Sequence, residues 1–197
     1  MAFSNEIHSF KKNSLCTTDT VLTKLDGTKV KEKSGESIPT DGGDFFVVDD
    51  SPDENLRHVI DGLFISSQDA SANLQELKEN KITHILNVAI GCQNHFKEHF
   101  TYKKLEILDI PEYDISKHFE ECVGFIHEAI TNGGQVLCHC NAGISRSSTI
   151  IGVYLMQKHE MSLQDALTAI RKNRPAARPN DGFMLSLKQY EEKLKKC

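Results

Sequence analysis

The spacing of apolar and polar positions divides the chain into two parts. Residues 1–55 consist of short mixed stretches rich in Lys, Thr, Gly and acidic residues, and no periodicity is sustained there. From position 56 onward, apolar segments of different lengths follow one another, separated by polar breaks. We expect a folded domain over residues 56–197, preceded by a partly irregular N-terminal extension over residues 1–55. The apolar run at 45–48 has two open interpretations: it docks on that domain as one short strand, or it stays part of the irregular extension.

The pattern after position 56 predicts strands and helices in alternation. Short apolar runs predict strands over residues 59–66, 83–88, 102–108 and 135–139. Helical spacing and capping signals predict helices over residues 69–80, 116–131, 147–158, 162–173 and 182–195. This order predicts an α/β fold, in which a central, mostly parallel sheet is flanked by helices on both faces.

Composition and charge narrow the class of protein. The 197 residues are 39% hydrophobic and 26% charged, which is ordinary for a soluble globular protein. The net charge of -5 argues against a nucleic-acid partner, and no apolar run approaches the roughly 20 residues of a membrane span. Six cysteines without C-x-x-C spacing favour reduced thiols over a zinc site or a disulfide framework. Because the first residues do not resemble a signal peptide, we expect the chain in the cytoplasm or the nucleus.

One segment between a predicted strand and a predicted helix has the pattern of an anion-binding loop. It reads His-Cys-Asn-Ala-Gly-Ile-Ser-Arg-Ser over residues 139–147. Successive backbone N–H groups of such a loop point inward, and the following helix adds the positive end of its dipole. Gly143 permits a turn that a side chain would obstruct. The segment therefore predicts a site that binds a dianionic phosphate without a metal.

Cys140 and Arg146 are the candidate reactive residues of this loop. The amides and the helix dipole stabilise the Cys140 side chain as a thiolate, which is a nucleophile. Arg146, six residues later, can return across the loop and bind two phosphate oxygens with its planar guanidinium. A lysine could not supply this two-point contact. The two residues together predict nucleophilic attack on phosphorus.

The C-x5-R pattern with flanking His139 and Ser147 resembles the protein tyrosine phosphatase superfamily, and the complete segment is similar to its dual-specificity branch. Four further segments agree in order. They read VIDGLFISSQDAS, THILNVA, YKKLEILDIPEYDISKHF and RPNDGF. The resemblance covers residues 56–194 and is greatest to the small atypical enzymes that lack a separate kinase-binding domain. It implies the protein tyrosine phosphatase fold and identifies residues 56–197 as a catalytic domain.

The resemblance also implies roles for individual residues. Asp109 matches the family's general acid, ten residues before a Phe that starts a helix, here Phe119. Glu112 and Asp114 are alternatives for that role. The phosphate-binding loop and its support comprise His139, Asn141, Ala142, Gly143, Ile144, Ser145, Ser147 and Asn180.

Three of the supporting residues have specific expected functions in the family. Ser147 matches the hydroxyl that assists the leaving thiolate, His139 the imidazole that orders the loop, and Asn180 the asparagine that braces it. One departure is Ser186, where the family commonly has Gln. Support of the loop from the final helix is therefore expected to differ.

The resemblance implies two-step hydrolysis through a cysteinyl-phosphate, with no cofactor and no metal. The implied substrates are phosphoproteins carrying phosphotyrosine and phosphoserine or phosphothreonine, with MAP kinases or their upstream kinases as partners. A scaffold of the same fold and a phosphatase for a phosphoinositide or an RNA 5′ phosphate are alternatives. A protein substrate is favoured because Asn141, Ala142, Ile144 and Ser145 are uncharged.

Several other residues have ordinary structural interpretations. Cys92 and Cys138 could protect an oxidised nucleophile by forming a disulfide, but buried free thiols are the preferred interpretation. Four basic residues near the end of a predicted helix could contact an acidic phosphopeptide, but a solvated helix face is preferred. These residues are Arg171, Lys172, Arg174 and Arg178.

Overall fold

The computed structural model describes residues 20–23, 29–33, 36–39, 53 and 55–196. The chain divides into two compact units, Met1–Asp50 and Ser51–Cys197. The first unit contains an antiparallel sheet of three short strands, in the order β1-β2-β3. The strands are β1 Thr20–Thr23, β2 Lys29–Lys33 and β3 Glu36–Pro39. The sequence did not predict this sheet, because Lys, Glu, Thr and Ser outnumber the apolar residues of the strands. The apolar run at 45–48 lies outside the described residues.

The second unit contains a sheet of five strands in the order β4-β5-β8-β6-β7. The strands are β4 Arg57–Ile60, β5 Leu63–Ser66, β6 His84–Asn87, β7 Thr101–Lys104 and β8 Val136–His139. β4 and β5 pair antiparallel, whereas β5 with β8, β8 with β6, and β6 with β7 pair parallel. This arrangement confirms the predicted mostly parallel sheet.

Helices cover both faces of the five-stranded sheet. They are α1 Gln68–Ser71, α2 Leu74–Glu79, α3 Phe119–Thr131, α4 Arg146–Lys158, α5 Leu163–Asn173 and α6 Asp181–Leu194. Alternate residues of the strands enter two separate cores, as strand geometry requires. Leu137 of β8 packs with Leu77 of α2, while Cys138 belongs to the larger core with α3, α4, α5 and α6. No helix in the described ranges is both long enough and apolar enough to cross a bilayer.

Two predicted elements are each divided in the structure. The predicted strand over residues 59–66 is the hairpin β4–β5, which turns at Gly62 with φ of +86°. The predicted helix over residues 69–80 is α1 and α2, because the Asn73 side chain accepts the Glu76 N–H and caps a new helix. A short 3₁₀ segment, Ser116–His118, precedes α3 where a continuous helix was predicted.

The sheet determines where the loop at residues 140–145 lies. β8 is the central strand, and its four residues are all buried. Since β5, β6, β7 and β8 are parallel, their carboxyl ends meet at one edge of the sheet. Crevices outside such an edge are the usual location of ligand sites in α/β proteins.

Candidate active site

Cys140 follows β8 directly and starts the loop of residues 140–145, which we call the phosphate loop. The residue is buried, with only 1% of its surface exposed. The Sγ atom is 3.4 Å from the hydroxyl oxygen of Ser147, in the first turn of α4. A hydroxyl that contacts the sulfur in this way can donate a hydrogen bond to a thiolate.

The carbonyl groups of the phosphate loop point away from its centre. The carbonyl of Asn141 accepts the Gln68 N–H at 2.8 Å, and that of Ile144 accepts the Arg178 N–H at 2.9 Å. The carbonyls between them, of Ala142 and Gly143, accept from a guanidinium described below. In a trans peptide the next N–H points opposite to the carbonyl. Four successive N–H groups, of residues 142–145, are therefore directed to the other side, where they can bind an anion.

Gly143 allows the phosphate loop to approach the neighbouring strand closely. Its φ is +65°, and a Cβ atom placed there would lie 2.5 Å from the carbonyl oxygen of Ser66. Any other residue would be strained in its backbone and would collide with β5. The expectation that a side chain would obstruct this turn is confirmed.

Arg146 is buried at the start of α4, with 6% of its surface exposed. Its Nη1 donates to the carbonyl of Ile107 at 3.1 Å, and its Nη2 donates to the side-chain oxygen of Asn141 at 2.7 Å. Its Nε donates to Asp109 at 3.2 Å. The guanidinium is therefore held in one plane between the phosphate loop and the loop that follows β7.

Asp109 is held at the rim of the phosphate loop by three donors. Besides Arg146, the hydroxyl of Ser145 donates to it at 2.7 Å and the side-chain amide of Asn180 at 2.9 Å. Asp114, an alternative for the same role, is bound instead to Ser116, and this hydrogen bond lowers the pKa of Asp114. Of the three acidic candidates, only Asp109 has such contacts with Ser145 and Arg146.

His139 is a neutral, buried residue behind the nucleophile. Burial lowers the pKa of His139 to about 4, so the imidazole carries no charge at neutral pH. Its Nδ1 lies 3.4 Å from the carbonyl oxygen of Cys140. Its Nε2 has no hydrogen-bond partner within the described part of the chain. The imidazole thus contacts the backbone where strand becomes loop.

Asn180 braces the site from the start of α6. Its side-chain oxygen accepts the Phe183 N–H and caps the helix, and its side-chain amide donates to Asp109. Its backbone N–H donates to the hydroxyl of Ser145 at 3.2 Å. The hydroxyl of Ser186, the departure from the family pattern, donates to Gly182 within the same helix. Ser186 thus bonds within α6, and the contacts with Ser145 and Asp109 come from Asn180.

Arg174 supports the phosphate loop, a role the sequence interpretation missed. It is 7% exposed, and its guanidinium donates to the carbonyls of Gly143 at 3.1 Å and Ala142 at 2.6 Å. It also forms an ion pair with Asp53. The preferred interpretation as a solvated helix face is therefore wrong for Arg174, although Lys172 is exposed as expected. The feature that could have indicated this role is the position of Arg174 at the C-cap of α5. The backbone turns away from the helix axis there, so the residue does not belong to the solvated helix face.

The two other cysteines considered above are buried thiols. Burial raises the pKa of Cys92 and raises that of Cys138 well above its ordinary value. The Cys92 thiol donates to the side-chain oxygen of Gln68 at 3.2 Å. Both are buried free cysteines, as the preferred interpretation expected, and the alternative of a protective disulfide with Cys140 is not tested by the structure. Within the described ranges, no group of three or more His, Cys, Asp or Glu side chains is arranged to hold a metal ion.

Comparison with known proteins agrees with this geometry. The family profile described as "Dual specificity phosphatase, catalytic domain" matches residues 63–193. Dual specificity protein phosphatase 19 of Mus musculus is 38% identical over 198 residues, which covers 96% of this chain and 90% of that protein.

Two solved crystal structures of related proteins have the same fold as this chain. The crystal structure of human DUSP28 superposes with a TM-score of 0.69 at 29% identity, covering 74% of this chain and 96% of that one. The human tyrosine phosphatase-like serine/threonine/tyrosine-interacting protein superposes with a TM-score of 0.69 at 30% identity, covering 72% of this chain and 99% of that one.

Proposed function

The chain belongs to the dual-specificity phosphatase family and is a protein phosphatase, and we propose that it hydrolyses its phosphoprotein substrates through a cysteinyl-phosphate on Cys140. The observation that carries the mechanism is the phosphate loop, which starts at Cys140 and whose four outward carbonyls direct four successive N–H groups to its other side. A phosphate held by these groups would place its phosphorus above the sulfur.

Arg146 is suited to bind that phosphate without leaving its position. Each terminal nitrogen of the guanidinium carries a second N–H beyond the one bonded to Ile107 or Asn141. These two N–H groups would bind two phosphate oxygens and stabilise the charge of the transferring group. The contacts with Ile107 and Asn141 would fix the plane of the fork before substrate arrives, which lowers the entropy cost of binding.

The first chemical step would be attack by the Cys140 thiolate on phosphorus. A sulfur–phosphorus bond forms, the bond to the substrate oxygen breaks, and the carboxyl group of Asp109 gives its proton to that oxygen. Asp109 is placed for this role because its loop reaches Ser145 and Arg146.

The second step would return the enzyme to its starting state. Water attacks phosphorus and gives a proton to the Asp109 carboxylate, the sulfur–phosphorus bond breaks, and inorganic phosphate leaves. The hydroxyl of Ser147, 3.4 Å from the sulfur, would donate a hydrogen bond to the departing thiolate. Stabilising this leaving group speeds the step that regenerates the enzyme.

We further propose that the substrates include MAP kinases or their upstream kinases, carrying phosphotyrosine and phosphothreonine or phosphoserine. This proposal is supported by the resemblance to the small atypical members of the family. Its direct test is the rate of phosphate release from purified, doubly phosphorylated MAP kinases and from phosphorylated upstream kinases.

The experiment for the mechanism uses a peptide that carries phosphothreonine and phosphotyrosine separated by one residue. The initial rate of phosphate release is measured with the reduced full chain in the presence of a chelator, beside Cys140→Ser. We expect release from both residues by the wild type and none above background by Cys140→Ser. Undiminished release by the folded variant would contradict the role of Cys140, and no release by the folded wild type would favour a scaffold.

A further inference from the structure

The large apolar side chains exposed in the second unit are concentrated at one edge of it. Among the described residues of this unit, five such side chains are between 36% and 57% exposed, and we call them the apolar rim. They are Ile90, Leu108, Ile110, Ile144 and Leu185. Single exposed apolar residues are normal on a protein surface, but their collection at one place marks an interaction surface.

Four of the five rim residues lie in loops at the carboxyl edge of the sheet. Ile90 follows β6, Leu108 and Ile110 follow β7, and Ile144 follows β8 within the phosphate loop. Because these strands are parallel and adjacent, their following loops lie at the same edge as Cys140. Leu108 and Ile110 are the two neighbours of Asp109 along the chain.

The remaining rim residue belongs to a helix that is bound to the same loops. Leu185 lies one turn into α6, whose cap Asn180 donates hydrogen bonds to Asp109 and Ser145. Gly182 in the first turn leaves no room for a Cβ atom against the carbonyl of Pro111. The start of α6 is therefore fixed against the loop that carries Leu108 and Ile110.

We propose that the apolar rim binds aliphatic side chains next to the phosphorylated residue of the substrate. This inference rests on the proposed function and names the class of sequence that the site selects. A peptide whose phosphate reaches Cys140 must cross Ile144 and the residues beside Asp109, so the rim is continuous with the phosphate loop. The loop residues Asn141, Ala142 and Ile144 carry no charge, so these three positions offer no ionic partner to the residues that flank the phosphorylated one.

Burial of these side chains by a substrate would favour binding by the hydrophobic effect. Only part of each side chain is exposed, so the gain is modest, about three- to fivefold in kcat/KM for each contact made. Two or three contacts together give roughly a 10- to 100-fold preference. Aliphatic residues beside the phosphorylated one should therefore raise kcat/KM without any change in peptide charge.

The test uses two phosphotyrosine peptides of equal length and equal net charge. One has Leu, Ile or Val at the two positions on each side of phosphotyrosine, and the other has Ser, Gln or Asn there. We expect kcat/KM to be about 10- to 100-fold higher for the aliphatic peptide. The value of kcat/KM for a small aryl phosphate, which has no flanking residues, measures catalysis without contacts to the apolar rim.

Rim variants assign the preference to particular side chains. Ile110→Asn and Leu185→Asn should each lower kcat/KM for the aliphatic peptide about three- to fivefold and leave the aryl phosphate and the polar peptide unchanged. Ile110→Leu and Leu185→Met keep an apolar surface and should keep the preference. Equal rates on both peptides in the wild type would overturn the inference about the rim.

Two further outcomes separate this inference from its alternatives. If the wild type does not hydrolyse even the aryl phosphate, the proposed function itself has failed. If the chain forms dimers in sedimentation equilibrium, and activity on the aryl phosphate falls as dimers form, then a second copy covers the rim. That result would also overturn the inference, whereas a monomer with the stated preference would support it.

Discussion

Two buried arginines contact the phosphate loop, and each uses different groups of it. This difference distinguishes the arginine that we propose to bind substrate from the one that supports the backbone of the loop. Arg146 at the start of α4 contacts Asp109, the Asn141 side chain and one carbonyl outside the loop. Arg174 after α5 contacts Asp53 and two carbonyls of the loop itself.

The difference lies in which groups of the loop each guanidinium uses. Arg174 binds loop carbonyls, which fixes the peptide planes and so directs the N–H groups toward the anion. Arg146 makes no contact with those carbonyls, and in our proposal its two remaining N–H groups bind the substrate. Both arginines are ion-paired with an aspartate whose side chain is 31% exposed. The same type of buried ion pair thus serves positioning in one case and, in our proposal, catalysis in the other.

Among variants of the residues around the two arginines, the largest effect is expected from Asp109→Asn. The variant cannot protonate the leaving oxygen, so kcat should fall about 10²- to 10⁴-fold for substrates with poor leaving groups and much less for a nitrophenyl phosphate. Steady-state kinetics over a series of aryl phosphates of different leaving-group acidity measures this. Asp114→Asn is the control, because its carboxylate is bound to Ser116. A uniform loss over the series would contradict the role of Asp109.

The second largest loss of rate is expected from Arg146→Lys. The ammonium cannot make the two-point contact with phosphate, so kcat/KM should fall about 10²- to 10³-fold, and inorganic phosphate should inhibit more weakly. Unlike Asp109→Asn, the loss should be the same for every leaving group. Inhibition by phosphate equal to that of the wild type would show that Arg146 does not bind the anion.

Changes to the ion pair between Arg174 and Asp53 should mainly lower the stability of the fold. Asp53→Asn leaves the buried Arg174 without its charged partner, and we expect a loss of about 2 kcal/mol in the free energy of unfolding. The rate on a nitrophenyl phosphate should fall by less than about tenfold. Arg174→Lys keeps the charge opposite Asp53 but lacks the planar guanidinium that binds two loop carbonyls, so its rate should also fall by less than about tenfold. Urea denaturation gives the first quantity. A leaving-group-dependent loss of rate would place Arg174 in the chemistry.

The smallest effect concerns His139, which supports the loop without a charge. Its pKa of about 4 in the folded chain is below the ordinary value of 6.5 for an unfolded histidine. Between these values the unfolded chain binds more protons than the folded one, so stability is lost as the pH falls through this window. From pH 6.5 to 5 the loss should be on the order of 1 to 2 kcal/mol.

The matched variant for this pH dependence is His139→Gln. It removes the titrating group, so the difference in unfolding free energy between variant and wild type should shrink as the pH is lowered from 6.5 to 5. Denaturation curves at the two pH values measure it. A difference that does not change with pH would contradict a neutral, buried His139.

The sequence predicted one of the two arginines because its signal is local. Cys140, Gly143 and Arg146 lie within one short segment, and the strand before it and the helix after it impose the geometry of the loop. The Arg174–Asp53 ion pair joins residues 121 positions apart, and no spacing rule connects them. The divided helix over residues 69–80 has a different cause, because the cap at Asn73 is a local signal that competes with an apolar pattern continuing past it.

The most direct test of the account is to trap the phosphorylated enzyme. The 197-residue chain is mixed with a labelled phosphopeptide, denatured with acid within one turnover, digested, and analysed by mass spectrometry. We predict phosphate on Cys140 in the wild type, in larger amount in Ser147→Ala because thiolate departure is slower, and in no amount in Cys140→Ser. Label on another residue, or turnover without any labelled cysteine, would contradict the cysteinyl-phosphate mechanism.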